Sequence, residues 1–477
     1  MSQPQKTRPR ASTPPAMRAL KVRERSDPFA DIGSRLVFEF GGTFFLCLAY
    51  ALADPASRPA AMACAALAVA YAGAHVSGAH CNPAVSMAVW LAARQEFNTA
   101  CLAVYFGTQI VAAVCAGAVA QKLVLYEAGT AGSTCAAPWP ALPAEACRKV
   151  SDCTPCAGFE LGGTNGQADC ASAGGDCAYT AAVDSGVATA AESIGVFVLC
   201  FVLLHTTTTR ATANNSYFGV AIGFGVLSAM TTFDGLSGGA FNPAISIIYW
   251  TFPDSTTLPS GDGGHFWLAG LIGAASAAFL FRLTAQPAEF RHHSAPLTTA
   301  YHRGVGAKIS TTMGHHFMEL VGTMYLAVVV SALRATTGTN GSNAAPSTAP
   351  LAALTLGAAY TAWVCTGGAI SGGLYSPSLS LALVFRHIPT HHGLSVLKGI
   401  VYISMQFAGG ILGGMMAKFL GLSGCLVPPS AAYVDGVMTV WAAEALGSGL
   451  LTFMVCHVAT LESTSGNSFF GMTHGFT

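Results

Sequence analysis

An all-α membrane protein, built as a helical bundle, is the fold class this chain predicts, and three observations carry the prediction. Of its 477 residues 52% are hydrophobic and only 9% charged, where a soluble domain carries about 25% charge. Apolar runs long enough to cross a bilayer core recur along the whole chain. Two of them are interrupted by Gly-rich polar breaks, His75-Val-Ser-Gly-Ala-His-Cys-Asn-Pro-Ala-Val85 and Ser237-Gly-Gly-Ala-Phe-Asn-Pro-Ala-Ile245, each containing Asn-Pro-Ala. Abundant glycine and alanine agree, since small residues let membrane helices approach closely.

The elements follow in chain order. Residues 1–32 form a basic tail, the first 26 residues of which carry Lys6, Arg8, Arg10, Arg18, Lys21, Arg23 and Arg25 against a single acid, Glu24. With no apolar core it is expected to be disordered. It lacks the apolar stretch of a signal peptide; an Arg-rich transit peptide is the alternative to a cytosolic tail. Under the positive-inside rule the tail places the N-terminus in the cytosol. Spans are expected at 33–53, 61–76, 98–122, 186–208, 216–232 and 264–284, so that six crossings return the basic linker 291–311 (Arg291, Arg303, Lys308) to the cytosol. Further spans are expected at 312–334, 350–367, 394–421 and 437–460.

The segment 123–185 then falls outside. It carries Cys135, Cys147, Cys153, Cys156, Cys170 and Cys177 and reads as a disulfide-stapled loop of open connectivity. Cys153-x-x-Cys156 leaves a zinc reading as the alternative, without nearby histidines to support it. Asn340-Gly341-Ser342 is a glycan acceptor pattern in a loop expected outside; Asn214-Asn-Ser216 fits the pattern in a loop expected inside.

Each break has a physical reading. Proline is tolerated in the first turn of a helix, so Asn-Pro reads as a cap followed by a helix start. A helix beginning at membrane depth points its free N–H groups and positive dipole end inward. Irregular backbone there is viable only where it is buried in protein or lines a wet cavity. Two breaks in corresponding halves point to one pore made by half-helices meeting tip to tip.

Internal repeats extend the pattern. Glu39-x-x-Gly42-Thr43, Glu192-x-x-Gly195, Glu319-x-x-Gly322-Thr323 and Glu444-x-x-Gly447-Ser448 each open an apolar span. A third break, Ala369-Ile-Ser-Gly-Gly-Leu-Tyr-Ser-Pro-Ser-Leu379, aligns without gaps on 75–85, and Tyr105-x-x-x-Gln109 recurs as Tyr402-x-x-x-Gln406. Residues 33–290 therefore read as a complete unit. Residues 312–477 read as an incomplete second one, whose matching last break is expected near position 494.

These registered motifs resemble the aquaporin, or major intrinsic protein, family. The resemblance implies an aquaporin-like bundle of six transmembrane helices plus two half-helices with inverted repeats, followed by a partial second bundle. It also implies a homo-oligomer, usually a tetramer, and passive passage of water or small neutral solutes. On that basis Asn82, Pro83, Ala84, Asn242, Pro243 and Ala244 are expected to line the pore. Met62, Met230, Ala240 and Ile245 are expected to form the selectivity filter, and Glu39, Glu192, His75 and His80 to support the broken loops. Ile245 stands where the family usually carries Arg, which implies a less strict filter. In the third break Ser376-Pro377-Ser378 replaces the amide by a hydroxyl. Cys81, beside Asn82, is expected to bring its thiol near the pore, within reach of mercurials.

The partners expected are water, small neutral solutes and the lipid bilayer of the plasma membrane or an endomembrane. Zero formal net charge leaves no footprint for nucleic acid. No nucleophile, metal cluster or phosphate-binding loop stands out, so neither catalysis nor a cofactor is expected. Two readings compete with a channel: a non-conducting scaffold of the same fold, and a secondary transporter. The transporter reading lacks a carboxylate placed at the breaks to bind an ion.

Overall fold

The computed structural model describes residues 32–54, 56–94, 97–130, 185–251, 264–285, 305–336, 349–390, 394–422, 437–459 and 468–477. The N-terminal tail, the six cysteines of 135–177 and the Asn340 pattern lie outside the described residues.

Fourteen helices and no strand are present among the described residues. In the first unit these are α1 (Ile32–Leu52), α2 (Arg58–Gly73), α3 (Pro83–Leu91), α4 (Thr99–Thr130), α5 (Ser185–Thr207), α6 (Phe218–Ser237), α7 (Pro243–Thr251) and α8 (Gly264–Thr284). The second unit contributes α9 (Val305–Thr336), α10 (Ala349–Gly367), α11 (Pro377–Thr390), α12 (Val396–Phe419), α13 (Val437–Ala459) and α14 (Phe470–Phe476). Among the described residues seven helices are long and apolar enough to cross a membrane, and the protein is a multi-pass membrane protein. Three boundaries differ by five residues or more from the sequence reading, one being the end of α6, which runs on to Ser237 instead of 232. Helix α4 runs on to Thr130, into the segment read as an outer loop, and α9 starts at Val305, inside the segment read as linker.

Within the first unit the two halves repeat each other's packing. Helix α1 packs on α4 as α5 packs on α8, and α2 and α6 pack together at the centre. The half-helices cross over: α3 leans on α8 of the second half, and α7 on α4 of the first. Gly270 of α8 is what lets α3 and α7 in, because a Cβ there would meet the Pro243 ring and lie 3.6 Å from Ala84 Cβ. The inverted repeat thus places both half-helices in one interior, enclosed by apolar side chains of α1, α2, α5, α6 and α8.

The second unit copies this plan as far as Phe476. Helix α9 packs on α12 and α10, α11 on α12 and α13, and α13 on α14. The spacing that separates Glu192 from Glu444 also separates α5 from α13 and Phe218 from Phe470. Consequently Phe470-Gly-Met-Thr-His-Gly-Phe476 repeats Phe218-Gly-Val-Ala-Ile-Gly-Phe224, and α14 packs on α10 as α6 packs on α2. This match escaped the sequence reading, which in this last quarter followed only Glu444-x-x-Gly447.

The units join along α9 and α10 of the second and α5, α6 and α8 of the first. Trp363 of α10, fully buried, has its ring centroid 5.7 Å from that of Phe201 and 5.6 Å from that of Tyr325. Ser228 of α6 shares a 2.9 Å hydrogen bond with Tyr325 of α9. Phe224 and Phe476, which occupy the same repeat position, meet edge to face at 5.9 Å.

Candidate functional site

The centre of the first unit is organised by two buried carboxylates. Glu39 Oε1 accepts from Ser77 Oγ at 2.6 Å and from the His80 N–H at 3.0 Å; Oε2 accepts from the Cys81 N–H at 2.6 Å and Gln109 Nε2 at 2.9 Å. Glu192 accepts from the Ala240 and Phe241 N–H groups at 2.9 and 2.7 Å. A carboxylate buried at membrane depth is expensive unless paired. Here the pairing groups are the N–H donors of a loop that makes no secondary structure, so loop and carboxylate satisfy one another.

Those loops share one backbone conformation. Positive φ occurs four, three and one residues before the cap in every break: at Gly78, Ala79 and Cys81, at Gly238, Gly239 and Phe241, and at Gly372, Gly373 and Tyr375. The left-handed turns aim two successive N–H groups at the glutamate, then send the chain back into a helix.

The caps come next. Asn82 is extended (φ −162°) and its Oδ1 accepts from the Ala84 N–H at 2.8 Å; Asn242 Oδ1 accepts from the Ala244 N–H at 3.0 Å. Both side chains are buried. Each then reaches across: Asn82 Nδ2 donates to the Phe241 carbonyl at 2.9 Å, and Asn242 Nδ2 donates to the Cys81 carbonyl at 3.1 Å. The tips of α3 and α7 are clasped reciprocally. Because an amide nitrogen carries two N–H groups, each keeps a second donor beyond the clasp. The two helix starts bring roughly half a positive charge each to the same place.

The remaining expected residues are distributed as follows. Pro83 and Pro243 open α3 and α7, and Ala84 and Ala244 follow them, fully buried. Met62, Met230, Ala240 and Ile245 all belong to one buried cluster around the broken loops. His80 is buried, its Nδ1 3.2 Å from Ser86 Oγ, its ring edge-on to Phe97 and Tyr105. His75 is a correction: it lies exposed in the turn after α2, outside the carboxylate cradle. Cys81 is another: it is fully buried with its Sγ against Gly42 of α1, so the thiol points into the helix packing.

Several members of the site were not singled out from sequence. Gln109 bonds both Glu39 and Ser86 Oγ, and Tyr105 Oη donates to the Ser77 carbonyl at 2.9 Å. The signal was the recurrence of Tyr-x-x-x-Gln, which marked the positions without giving partners. At the far end of α3, Arg282 donates to the Leu91 carbonyl at 2.6 Å, a cation at a helix C-terminus where it is favoured.

The third break rebuilds the first cradle in full. Glu319 accepts from Ser371 Oγ (2.6 Å), the Leu374 N–H (3.1 Å), the Tyr375 N–H (2.7 Å) and Gln406 Nε2 (2.9 Å), and Tyr402 Oη donates to the Ser371 carbonyl at 3.0 Å. The cap differs, Ser376 Oγ lying 2.8 Å from Ser378 Oγ, and Leu374 and Tyr375 stand where the first break has His80 and Cys81. Glu444, by contrast, is exposed on α13. No group of histidine, cysteine and carboxylate side chains that could hold a metal exists among the described residues.

A profile of the family described as Major intrinsic protein matches residues 55–281 and, overlapping, 179–351. Aquaporin PIP1-6 of Zea mays is 26% identical over 232 residues, 47% of this chain. The match spans 62% of that relative's length.

Proposed function

Because the chain belongs to the major intrinsic protein family, we propose that it is a passive channel for water and small neutral solutes, with its passage in the first unit. The observation that carries the reading is the reciprocal clasp, Asn82 to the Phe241 carbonyl and Asn242 to the Cys81 carbonyl. It holds two helix starts and two spare amide N–H groups at one level of the bundle. A water or hydroxyl oxygen passing that level accepts from both amides, and its neighbours in a single file are turned away from one another. Two converging dipoles, together about one positive charge, disfavour cations at the same spot.

Met62, Met230, Ala240 and Ile245 form the narrow filter beyond the clasp. Their side chains are apolar, so size rather than hydrogen bonding sorts solutes there. The N-terminus is cytosolic in this reading, which places the turn between α1 and α2 and the filter on the outer side. The second unit keeps the loop scaffold around Glu319 but has a serine cap, and it serves as packing partner to the first. Several chains assemble as a homo-oligomer, a tetramer by family resemblance.

The test is stopped-flow light scattering on proteoliposomes holding the full chain. The expected result is osmotic water permeability well above that of empty liposomes and independent of any ion gradient. Permeability equal to empty liposomes defeats the proposal in favour of a scaffold. Saturable flux that needs an ion gradient defeats it in favour of a transporter.

A further inference from the structure

The end of the bundle that carries the α1–α2 turn holds a buried charge that the clasp does not use. Arg58 opens α2 and is 7% exposed; Met62 follows it by one turn on the same face. Asp234 stands one turn beyond Met230 near the end of α6, the helix against which α2 packs. The two methionines and the two charged groups therefore form successive layers about 6 Å apart along the helix axes. Arg58 Nη1 lies 3.7 Å from Asp234 Oδ1, with the arginine side chain 8% and the carboxylate 25% exposed. The guanidinium carbon sits 4.8 Å from the centroid of the Tyr50 ring, whose hydroxyl donates to the Gly238 carbonyl in the second broken loop.

This cluster is a poor strap. At 3.7 Å the ion pair is too long to be a hydrogen bond. Arg58 Nε and Asp234 Oδ1 are both buried without a hydrogen-bond partner. Buried polar groups are satisfied almost everywhere, by protein or by water, and each one left bare is costly. A donor and an acceptor left bare at one place, over an apolar ring, fit a small molecule that both donates and accepts.

We propose that Arg58 is the specificity-determining group of the entrance. Set over the Tyr50 ring, it gives the passing water or hydroxyl-bearing solute a hydrogen-bond donor. It also sets a fixed positive charge one layer outside the Met62, Met230, Ala240 and Ile245 ring. Asp234, the more exposed of the pair, partly offsets that charge without holding Arg58 in place. The inference rests on the channel reading above.

The experiment expresses the full chain in oocytes and compares Arg58→Met, Arg58→Gln, Arg58→Lys and Asp234→Asn with the parent. Osmotic swelling and cation current are both normalised to surface protein. Neutralising Arg58 leaves Asp234 as a lone carboxylate at the mouth. Both neutral variants are therefore expected to raise the ratio of cation current to water permeability at least tenfold, whereas Arg58→Lys and Asp234→Asn stay within twofold of the parent. Parental ratios in both neutral variants overturn the proposal. An equal leak in Asp234→Asn does so as well, since the pair would then be a strap. Should neither neutral variant reach the surface while Arg58→Lys does, the role is structural and the proposal falls. A parent chain without water permeability is a separate result, which removes the channel reading itself.

Discussion

Replacing Glu39 by glutamine, and separately Glu319 by glutamine, probes two cradles of the same geometry in two units of different proposed role. Each carboxylate accepts four hydrogen bonds from buried donors. Glutamine keeps the shape but offers one acceptor oxygen, and its NH2 faces donors. Two charge-assisted bonds, each about 1.5 kcal/mol at the low end, are lost on either side. The cost is about 3 kcal/mol per cradle, roughly a hundredfold in the equilibrium between held and released loop. Thermal unfolding of the purified chain is expected to shift downward similarly for both variants. Water permeability of proteoliposomes should separate them: Glu39→Gln loses most of it, because the released loop carries the Asn82 cap, while Glu319→Gln keeps the parental value. If the two variants lose permeability equally at matched folded protein, the assignment of the passage to the first unit is wrong. If neither shifts unfolding, the cradle energetics are wrong.

Three other predictions follow from the same geometry. Asn82→Asp keeps the capping oxygen but replaces both the spare donor and the donor to the Phe241 carbonyl by a carboxylate oxygen between two helix starts; cation current in oocytes should rise roughly tenfold or more, and an unchanged current would contradict the role given to the dipoles. Gly195→Val drives a side chain into the Phe241 ring and should cost about 1–3 kcal/mol, read as reduced yield of monodisperse protein in detergent. Cys81→Ala should leave mercurial sensitivity of water flux at the parental level, because the Sγ is packed against Gly42; loss of inhibition in that variant would place the thiol in the passage after all.

Much of this architecture was legible in the residues, and the reasons differ by feature. Spans were readable because apolar length is a local property, and Asn82 and Asn242 were readable because proline fixes what precedes it. Glu39 and Glu192 stood out since a carboxylate in an apolar run needs an explanation. Partner identity was not readable. That each asparagine spends one N–H on the opposite loop depends on how the halves interlock, and no local pattern encodes it. Cys81 and His75 failed for a related reason. Near a left-handed residue the side-chain direction follows neither helical nor strand periodicity, so adjacency to the cap said nothing about which way the thiol faces. Arg58 and Asp234 looked like ordinary helix-end charges until α2 and α6 were seen side by side. The reach of α4 to Thr130 was hidden by Gln121, Lys122 and Glu127, polar residues that interrupt the apolar run by which a span is read.

The joint between the units has a consequence for how the chain can be handled. Trp363 is sealed between Phe201 and Tyr325, Ser228 bonds Tyr325, and Phe224 meets its own counterpart Phe476. None of these contacts depends on the peptide that leads from α8 to α9. A polypeptide cut there, or synthesised as two separate halves, has everything it requires to recombine within the bilayer. Covalent continuity then only sets the ratio of the halves at one to one, and the two pieces should migrate together in mild detergent after the connection is severed.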